Sequence, residues 1–566
     1  MVMKYRYIVV VIVVGLVSVC CHDAAYAQNN RRVEVTTTYI PEMEPVTKLM
    51  APTVIEDDTP IVPDISYNIV PDTWQFDLES HTFKPATATY WDFNRSKQFY
   101  AKLGGGYPML TNGIVRYATQ NARVGYFGVG IDHLGDFAQR SNELGMERFM
   151  KHSYSMKNNV DIYGGVFAGR RMFDAGVSYD YNIFNRYAEL SPEVERLHFH
   201  DVGLNLCFGD NFANLSRLNF AVELHGNYWA HQLPGSTNDE ELGYAQLYSA
   251  GGSLHLARNL RQSRVDIKAG YDMWSQFEGG NYRDTRFWLG MDFSRRFHIF
   301  ELEAGLKYMY DKVAMRDKAS HFVMPRVRLM VDLQKAAFAP YIELNTTVAQ
   351  NGVSSLFKQN PYIDYVTMRE SIDVMPNTRS YDLALGFTGT AWKSRFAYRA
   401  YVGANFMRDQ LFWYVANTGL FGVDAGDNNR IFFGVELSLQ PVSGLSIDAS
   451  FRAHADNTSA TPYQIAESKM VADMNIEYTH RRWKVYASAD VIGRKEWSQQ
   501  VDSEGNAPVI FSMPTKVDLG VGVSFRATNS VEIYVNGRNL LDSKIFDFAY
   551  YYRAGIGFDA GVKLNF

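Results

Sequence analysis

The sequence has 566 residues, 46% hydrophobic and 14% aromatic, with a net charge of −5 and a mean hydropathy of −0.23. A helical membrane protein needs several apolar stretches of about 20 residues, and beyond the first few dozen positions there is none. The small net charge gives no footing to nucleic acid or to an anionic membrane surface as a partner.

Residues 1–27 read as a secretory signal peptide. Lys4 and Arg6 supply the positive start, Ile8 to Val19 the apolar core, and Ala25-Tyr26-Ala27 the small-x-small cleavage site before Gln28. A lipoprotein signal ending at Cys20 is the rival, but it needs a small residue where Val19 stands. Cleavage before Gln28 removes Cys20 and Cys21 and leaves Cys207, which has no partner for an internal disulfide. Closure of a hydrogen-bonded barrel would hold such a fold instead.

From Gln28 to Ser96 the chain is punctuated by Pro41, Pro45, Pro52, Pro60, Pro63, Pro71 and Pro85, with a short acidic run at Glu56-Asp57-Asp58. Proline removes backbone donors and fixes φ, so this segment is expected to be extended and poor in sheet. A plain linker is one reading. Trp74, Phe76, Phe83, Trp91 and Phe93 favour the other, a segment that orders against a barrel or a partner. The expectation is that it lies at the periplasmic mouth, anchored by Trp74 and Trp91, without sealing the lumen.

Residues 97–566 show period-two alternation to the end. Ile556, Phe558, Ala560, Val562, Leu564 and Phe566 fall on one face, with Gly557, Asp559, Gly561, Lys563 and Asn565 on the other. Val517 to Phe525 and Trp483 to Val491 alternate in the same way. A soluble sandwich shares the period. Long strands, connections that alternate between tight and long, and polar faces rich in Gly, Ser and charge favour a membrane barrel. Abundant Tyr (36), Phe (36) and Gly (43) fit one face in lipid and one in water.

Tight turns are expected near Asn121, Arg170, Asn211, Asn259, Arg295, Lys335, Lys393, Ser443, Arg481 and Asn529. A very short connection at Pro108 to Gly113 comes first. Longer ones follow around 135–157, 185–197, 230–242, 276–284, 312–318, 350–378, 409–429, 456–466, 495–513 and 541–553. Together they join about 22 strands, with 20 or 24 as alternatives, and place both chain ends on the periplasmic side. The fold class is therefore all-β, a transmembrane antiparallel β-barrel with a short Pro-rich N-terminal extension. Tyr228 and Trp229, Tyr271 and Trp274, Tyr308 and Tyr310, and Trp392 and Phe396 are placed where interface girdles belong, with core packing as the other reading.

The strand count and the ending Ala560-Gly561-Val562-Lys563-Leu564-Asn565-Phe566 resemble the TonB-dependent receptors. So does Val535-Asn536-Gly537-Arg538-Asn539-Leu540-Leu541-Asp542, which is similar to the asparagine–leucine–leucine segment of their penultimate strand. The resemblance implies that Val562, Leu564 and Phe566 form the signal read by the barrel-assembly machinery. It also implies that Val33-Glu34-Val35-Thr36-Thr37-Thr38 is a Ton box, an extended strand that pairs with TonB's sheet edge. The departure from the family is the plug: roughly 58 Pro-rich residues stand where members carry a domain of well over a hundred, too few for a core of their own.

His198 and His200 share a strand face and could hold a metal, but two ligands make a weak site and a solvated pair is the simpler reading. Gly104-Gly105-Gly106 sits in a strand, where it relieves crowding inside the barrel rather than cradling an anion. No motif points to an enzyme or to a cofactor. The loops around 135–157, 350–378 and 409–429 are candidates for surface recognition. The last holds Leu411-Phe412-Trp413-Tyr414, so Phe412, Trp413 and Tyr414 are candidate surface-loop contacts, with loop-on-loop packing as the alternative.

The leading functional reading is a transporter or receptor of the TonB-dependent type in the cell outer membrane, with a degenerate plug. Its partners would be outer-membrane lipid, the assembly machinery, and TonB or a periplasmic or surface protein. A structural barrel subunit of a larger secretion or assembly complex is second, and a wide diffusion porin third.

Overall fold

A strand that alternates apolar and polar side chains has two dissimilar faces, and a ring of such strands separates a lipid surface from a wet interior. The computed structural model describes residues 98–566 apart from 120–123, 138–153, 187–194, 213, 234–243, 277–282, 314–315, 334–336, 417–419, 501–506 and 554. The signal peptide, the Pro-rich segment with Trp74 and Trp91, and Val33–Thr38 lie outside the described residues.

The chain runs β1 (Phe99–Tyr107), β2 (Leu110–Ala118), β3 (Gly125–Asp136), β4 (Ser155–Ala168), β5 (Arg171–Arg186), β6 (Glu195–Asp210), β7 (Asn219–Gln232) and β8 (Tyr244–Leu260). It continues through β9 (Ser263–Gln276), β10 (Arg283–Phe297), β11 (Phe300–Lys312), β12 (Ser320–Val331) and β13 (Ala339–Ala349) to two short helices, α1 (Val353–Gln359) and α2 (Tyr365–Asp373). Then come β14 (Thr378–Ala391), β15 (Phe396–Val415), β16 (Phe421–Leu439), β17 (Leu445–Ser459), β18 (Met470–His480) and β19 (Trp483–Ile492). The last are β20 (Lys495–Gln499), β21 (Val509–Met513), β22 (Lys516–Arg526), β23 (Val531–Arg538), β24 (Phe546–Phe548), β25 (Tyr551–Tyr552) and β26 (Gly557–Asn565).

Among the described residues 22 of these strands close an antiparallel barrel, as the spacing of turns leads one to expect. The hairpins β20–β21 and β24–β25 belong to connections on the long-loop side. Closure is made by β26 against β1, with Tyr100 opposite Asn565 and Tyr107 opposite Phe558. The seam ends on Phe566, which exchanges two backbone hydrogen bonds with Phe99, at 3.0 and 2.8 Å.

The two faces separate cleanly. Ile131, Ile162, Phe173, Phe208, Leu224, Leu385, Phe433 and Val535 are exposed although apolar, a belt that only lipid can cover. On β26, Phe558, Val562 and Phe566 are on this face, whereas Lys563 points inward and bonds Glu532 at 2.7 Å. The inner wall is polar and paired. Arg264 meets Asp266 at 2.7 Å, Arg326 meets Glu303 at 3.3 Å, and Arg430 meets Asp456 at 2.6 Å. Tyrosines on this wall lie over glycines of the next strand, as Tyr486 does over Gly522 and Tyr401 over Gly434. Gly104 behaves likewise, since the Tyr534 hydroxyl occupies the space a side chain would need.

Adjacent residues of one strand face opposite ways, and this corrects part of the girdle expectation. Tyr271 and Tyr308 are outside. Trp229 is fully buried on the inner face, and Trp274 packs against the same inner cluster.

Met474 and Asn475 are neighbours near the middle of β18, and both are exposed, the first toward lipid and the second toward the lumen. Met474→Arg is expected to cost about 2–4 kcal/mol, the value for a cation at the bilayer midplane, and Asn475→Arg close to nothing. Reversible unfolding in lipid vesicles measures both. Similar losses at the two positions would overturn the assignment of faces.

Candidate functional site

The long-loop end of the barrel is where the inner wall stops being polar. Phe199 on β6, Trp229 on β7, and Ala245 and Leu247 on β8 make an apolar patch facing inward. On it rests the connection 350–377, read from sequence as a loop but carrying α1 and α2. Val353, Leu356, Phe357, Ile363, Tyr365, Ile372 and Met375 are buried there. Phe357 sits 5.5 Å from the Trp229 ring and 4.2 Å from that of His231. Asp364 caps α2 by accepting from the Thr367 N–H at 3.3 Å. Lys358, at the end of α1, pairs with Asp201 on the wall at 2.5 Å.

The base of this connection is tied to the wall. The Asn351 N–H donates to Asn377 Oδ1 at 2.8 Å, Asn351 Nδ2 to the Pro376 carbonyl at 2.7 Å, and Asn377 Nδ2 to Asp311 Oδ2 at 2.6 Å. Asp311 is in turn bound by Arg286 at 3.3 Å.

The segment 409–429 is not a loop. β15 runs on to Val415 and β16 begins at Phe421, so the pair stands above the rest of the rim, with a bulge between Met407 and Gln410. Several of its polar residues bond to neighbouring strands and to the connection after β17. Asn428 is fully buried, donating to Gln410 at 3.0 Å and to Asp456 at 2.9 Å, and Asp424 accepts from Thr461 at 2.7 Å. Phe412 is fully buried, Trp413 packs in the shared apolar core, and Tyr414 stacks on Tyr463 with centroids 4.0 Å apart. The structure thus places all three candidate contact residues in a strand.

The β20–β21 hairpin folds over to this tall pair and joins it in parallel, Tyr414 opposite Ser498. Val415, Phe421, Trp497, Met513, Ala549 and Tyr551 form a second apolar core. Tyr362, between the helices, stacks on Tyr551 at 3.7 Å. Burial lowers the pKa of Lys495, the first residue of β20, and its ammonium donates to the Phe546 carbonyl at 3.1 Å. A hydrogen bond from Lys469 at 2.7 Å holds the Glu496 carboxyl below its ordinary value.

Beneath this canopy lies a cavity of about 840 Å³. Phe184, Phe199, Phe357, Tyr362, Phe548 and Tyr551 supply aromatic surface, and Asp136, Asp180, Asp518, Arg538 and Arg553 supply charge. Arg553 is held by Asp547 at 2.9 Å. Lys157 also lines the cavity and has no carboxylate partner among the described residues. Aromatic walls with a few oriented polar groups are the usual make-up of a small-molecule site. Among the described residues no three His, Cys, Asp or Glu side chains are placed to hold a metal ion. His198 and His200 are on the outer face, away from the cavity, each bonded to a tyrosine hydroxyl.

No protein-family model matches the sequence, and no curated protein matches it. Solved structures do. The copper transporter OprC shares 13% identity over 83% of this chain and 82% of its own, with a TM-score of 0.62. The FrpB iron transporter from Neisseria meningitidis, in its apoprotein form, shares 10% over 84% and 81%, with a TM-score of 0.65. The pyoverdine outer membrane receptor FpvA from Pseudomonas aeruginosa shares 11% over 83% and 79%, with a TM-score of 0.60. The chain has the barrel fold of these proteins.

Leu356 is fully buried where α1 meets the wall. Leu356→Ala is expected to remove about 2–4 kcal/mol from the seating of this connection. Hydrogen exchange should then quicken across 353–373 and stay unchanged in β4 and β5. Quickening in the strands as well would mean that the helices are part of the barrel's own stability.

Proposed function

We propose that this chain is an outer-membrane transporter or receptor of the TonB-dependent type, one that takes a small ligand into the cavity below its loop canopy. The observation that carries the reading is the capped mouth: a 22-strand barrel with the connection 350–377 and the hairpins β20–β21 and β24–β25 folded over an aromatic and charged cavity of about 840 Å³. A plain diffusion porin has no use for two apolar cores across its entrance. The proteins that share the fold are named for copper, iron and pyoverdine, which supports a metal chelate or another polar ligand. Such a ligand would stack on Phe184, Tyr362 and Tyr551, with Lys157, unpaired among the described residues, facing its charge. Import against a gradient would use Val33–Thr38 as the strand presented to TonB, and the barrel-assembly machinery would read Val562, Leu564 and Phe566.

Two measurements test this. Purified protein should be stabilised against heat by one member of a panel of ferric and cupric chelates, by about 2.7 kcal/mol at a hundredfold excess over Kd, and Lys157→Glu should abolish the shift. In a pull-down with TonB's periplasmic domain, Val35→Pro should abolish retention by removing a backbone donor from the added strand. Retention that survives Val35→Pro and also survives deletion of residues 31–38 would remove energy coupling from the proposal.

A further inference from the structure

The outward face of β6 changes character along its length. Nearest the short-turn side it presents Phe208, Leu206 and Val202, with Leu204 buried between them, level with Phe173, Ala175 and Val177 on β5. Above them the same face presents His200, His198 and Arg196, beside Tyr179 and Tyr181. From Asp210 at the turn, about ten residues cross the hydrocarbon, so the change at Val202–His200 falls at the outer edge of the apolar layer and Arg196 stands in the headgroup zone.

The rings are held in place by tyrosines of the neighbouring strand. Tyr181 Oη lies 2.9 Å from His198 Nδ1, and Tyr179 Oη lies 3.0 Å from His200 Nδ1. The Tyr181 ring also stacks on His200 with centroids 4.8 Å apart. A neutral ring that accepts the phenol proton at Nδ1 carries its own proton on Nε2, and a protonated ring carries one there too; the opposite tautomer donates from Nδ1 and leaves Nε2 an acceptor, so a bound phosphate selects the first two. Among the described residues neither Nε2 has a partner. Arg196 is exposed, its guanidinium 4.6 Å from the centre of the Tyr154 ring, and no carboxylate pairs with it among the described residues. Residues two apart on one face are about 6.6 Å apart along the strand, so three sets of donors stand in a row at headgroup depth.

We propose that Arg196, His198 and His200 form an exterior binding site for the phosphate groups of an outer-leaflet lipid. Phosphate is acceptor-rich and anionic, and its bonds to a guanidinium or imidazolium are charge-assisted. Water or a neutral headgroup would satisfy the histidines but would leave Arg196 without a counter-charge. The inference rests on the membrane placement proposed above.

The test is native mass spectrometry of the full-length protein in detergent, titrated with bisphosphorylated lipid A and with its dephosphorylated form. Wild type should hold the phosphorylated lipid at least about tenfold more tightly, and the R196Q/H198Q/H200Q variant should lose that preference. His321→Gln, in a second Tyr–His pair (2.7 Å to Tyr308) six strands away, should keep it. Equal binding by the triple variant, or no preference in wild type, would overturn the proposal. Full displacement by millimolar inorganic phosphate would overturn it as well, by making the row a small-anion site. Heat-modifiable migration and recovery in the outer-membrane fraction are checked first for every variant. A wild type missing from that fraction defeats the membrane reading itself, whereas correctly placed variants with unchanged lipid binding defeat this inference alone.

Discussion

Inside hydrocarbon, a backbone N–H or C=O without a partner has no water to turn to and costs several kcal/mol, so a sheet that crosses a membrane must close on itself. In this chain that obligation falls on one seam, the pairing of 99–107 with 557–565. Its first and last residues bond each other through the main chain, Phe99 to Phe566. The remaining architecture follows from meeting that condition. The strand number is even, the two ends of the barrel meet on the short-turn side, and every outward position at hydrocarbon depth becomes a place for an apolar side chain. The C-terminal phenylalanine is thus an edge of the closure, with its ring 6.4 Å from that of Phe99.

Once closure has satisfied the backbone, the inner wall is free to be polar, and the hydrophobic effect operates only where water is displaced. The lipid face gains nothing from apolar contact of that kind. The canopy does, because its cores form between elements that would otherwise face water. Each of Leu356, Phe357 and Phe412 is worth about 1.5–3 kcal/mol when fully buried. The seat on β6, β7 and β8 and the core around Phe421 and Trp497 are therefore stabilised by the same physics as a soluble domain. This explains why the wall switches from ion pairs such as Arg326–Glu303 to Phe199, Trp229 and Leu247 only near the long-loop end.

The barrel was legible in the sequence because its two signals are local: alternation along each strand and turn chemistry between strands. Ten turns were placed within a few residues, and the strand number follows from them. The canopy was hidden because its signals are not local. The run 409–429 looks like a loop since Asp424, Asp427, Asn428 and Asn429 crowd together, yet their partners Thr461, Arg408 and Asp456 lie on other strands or far along the chain. Leu356, Phe357, Ile363 and Ile372 are a detectable apolar pattern within 350–378. Elements of seven and nine residues are too short for helical periodicity to stand out, and only the patch on β6 to β8 makes them worth folding. Trp229 and Trp274 were assigned to the girdle by composition, whereas the parity of their strands sends them inward. His198 and His200 could be placed on one face from spacing alone, but only the register with Tyr179 and Tyr181 shows which face and what holds them.

Identities of 10–13% to proteins of the same fold are what these constraints lead one to expect. An outward position asks only for an apolar residue, so the wall can drift while its geometry stays, and what distinguishes one barrel from another resides in the connections. Here the connection with α1 and α2 is fixed at both feet by the Asn351–Asn377–Asp311 bonds, and its underside is seated on the wall. Its tip is held to the top of β16 by two backbone bonds, at 2.9 and 3.1 Å between Asp364, Tyr362 and Phe421. Across the mouth the ties are the Tyr362–Tyr551 stack, the edge contact of Tyr362 with Phe548 at 5.8 Å, two residue pairs between β15 and β20, and the core of Val415, Phe421, Trp497, Met513, Ala549 and Tyr551. An aromatic pair contributes about 0.5–1.5 kcal/mol beyond its buried area, and the buried Val415, Phe421 and Trp497 add the burial term to it. The two cores therefore tie the helical connection, the tall β15–β16 pair and the hairpins into one canopy above the cavity.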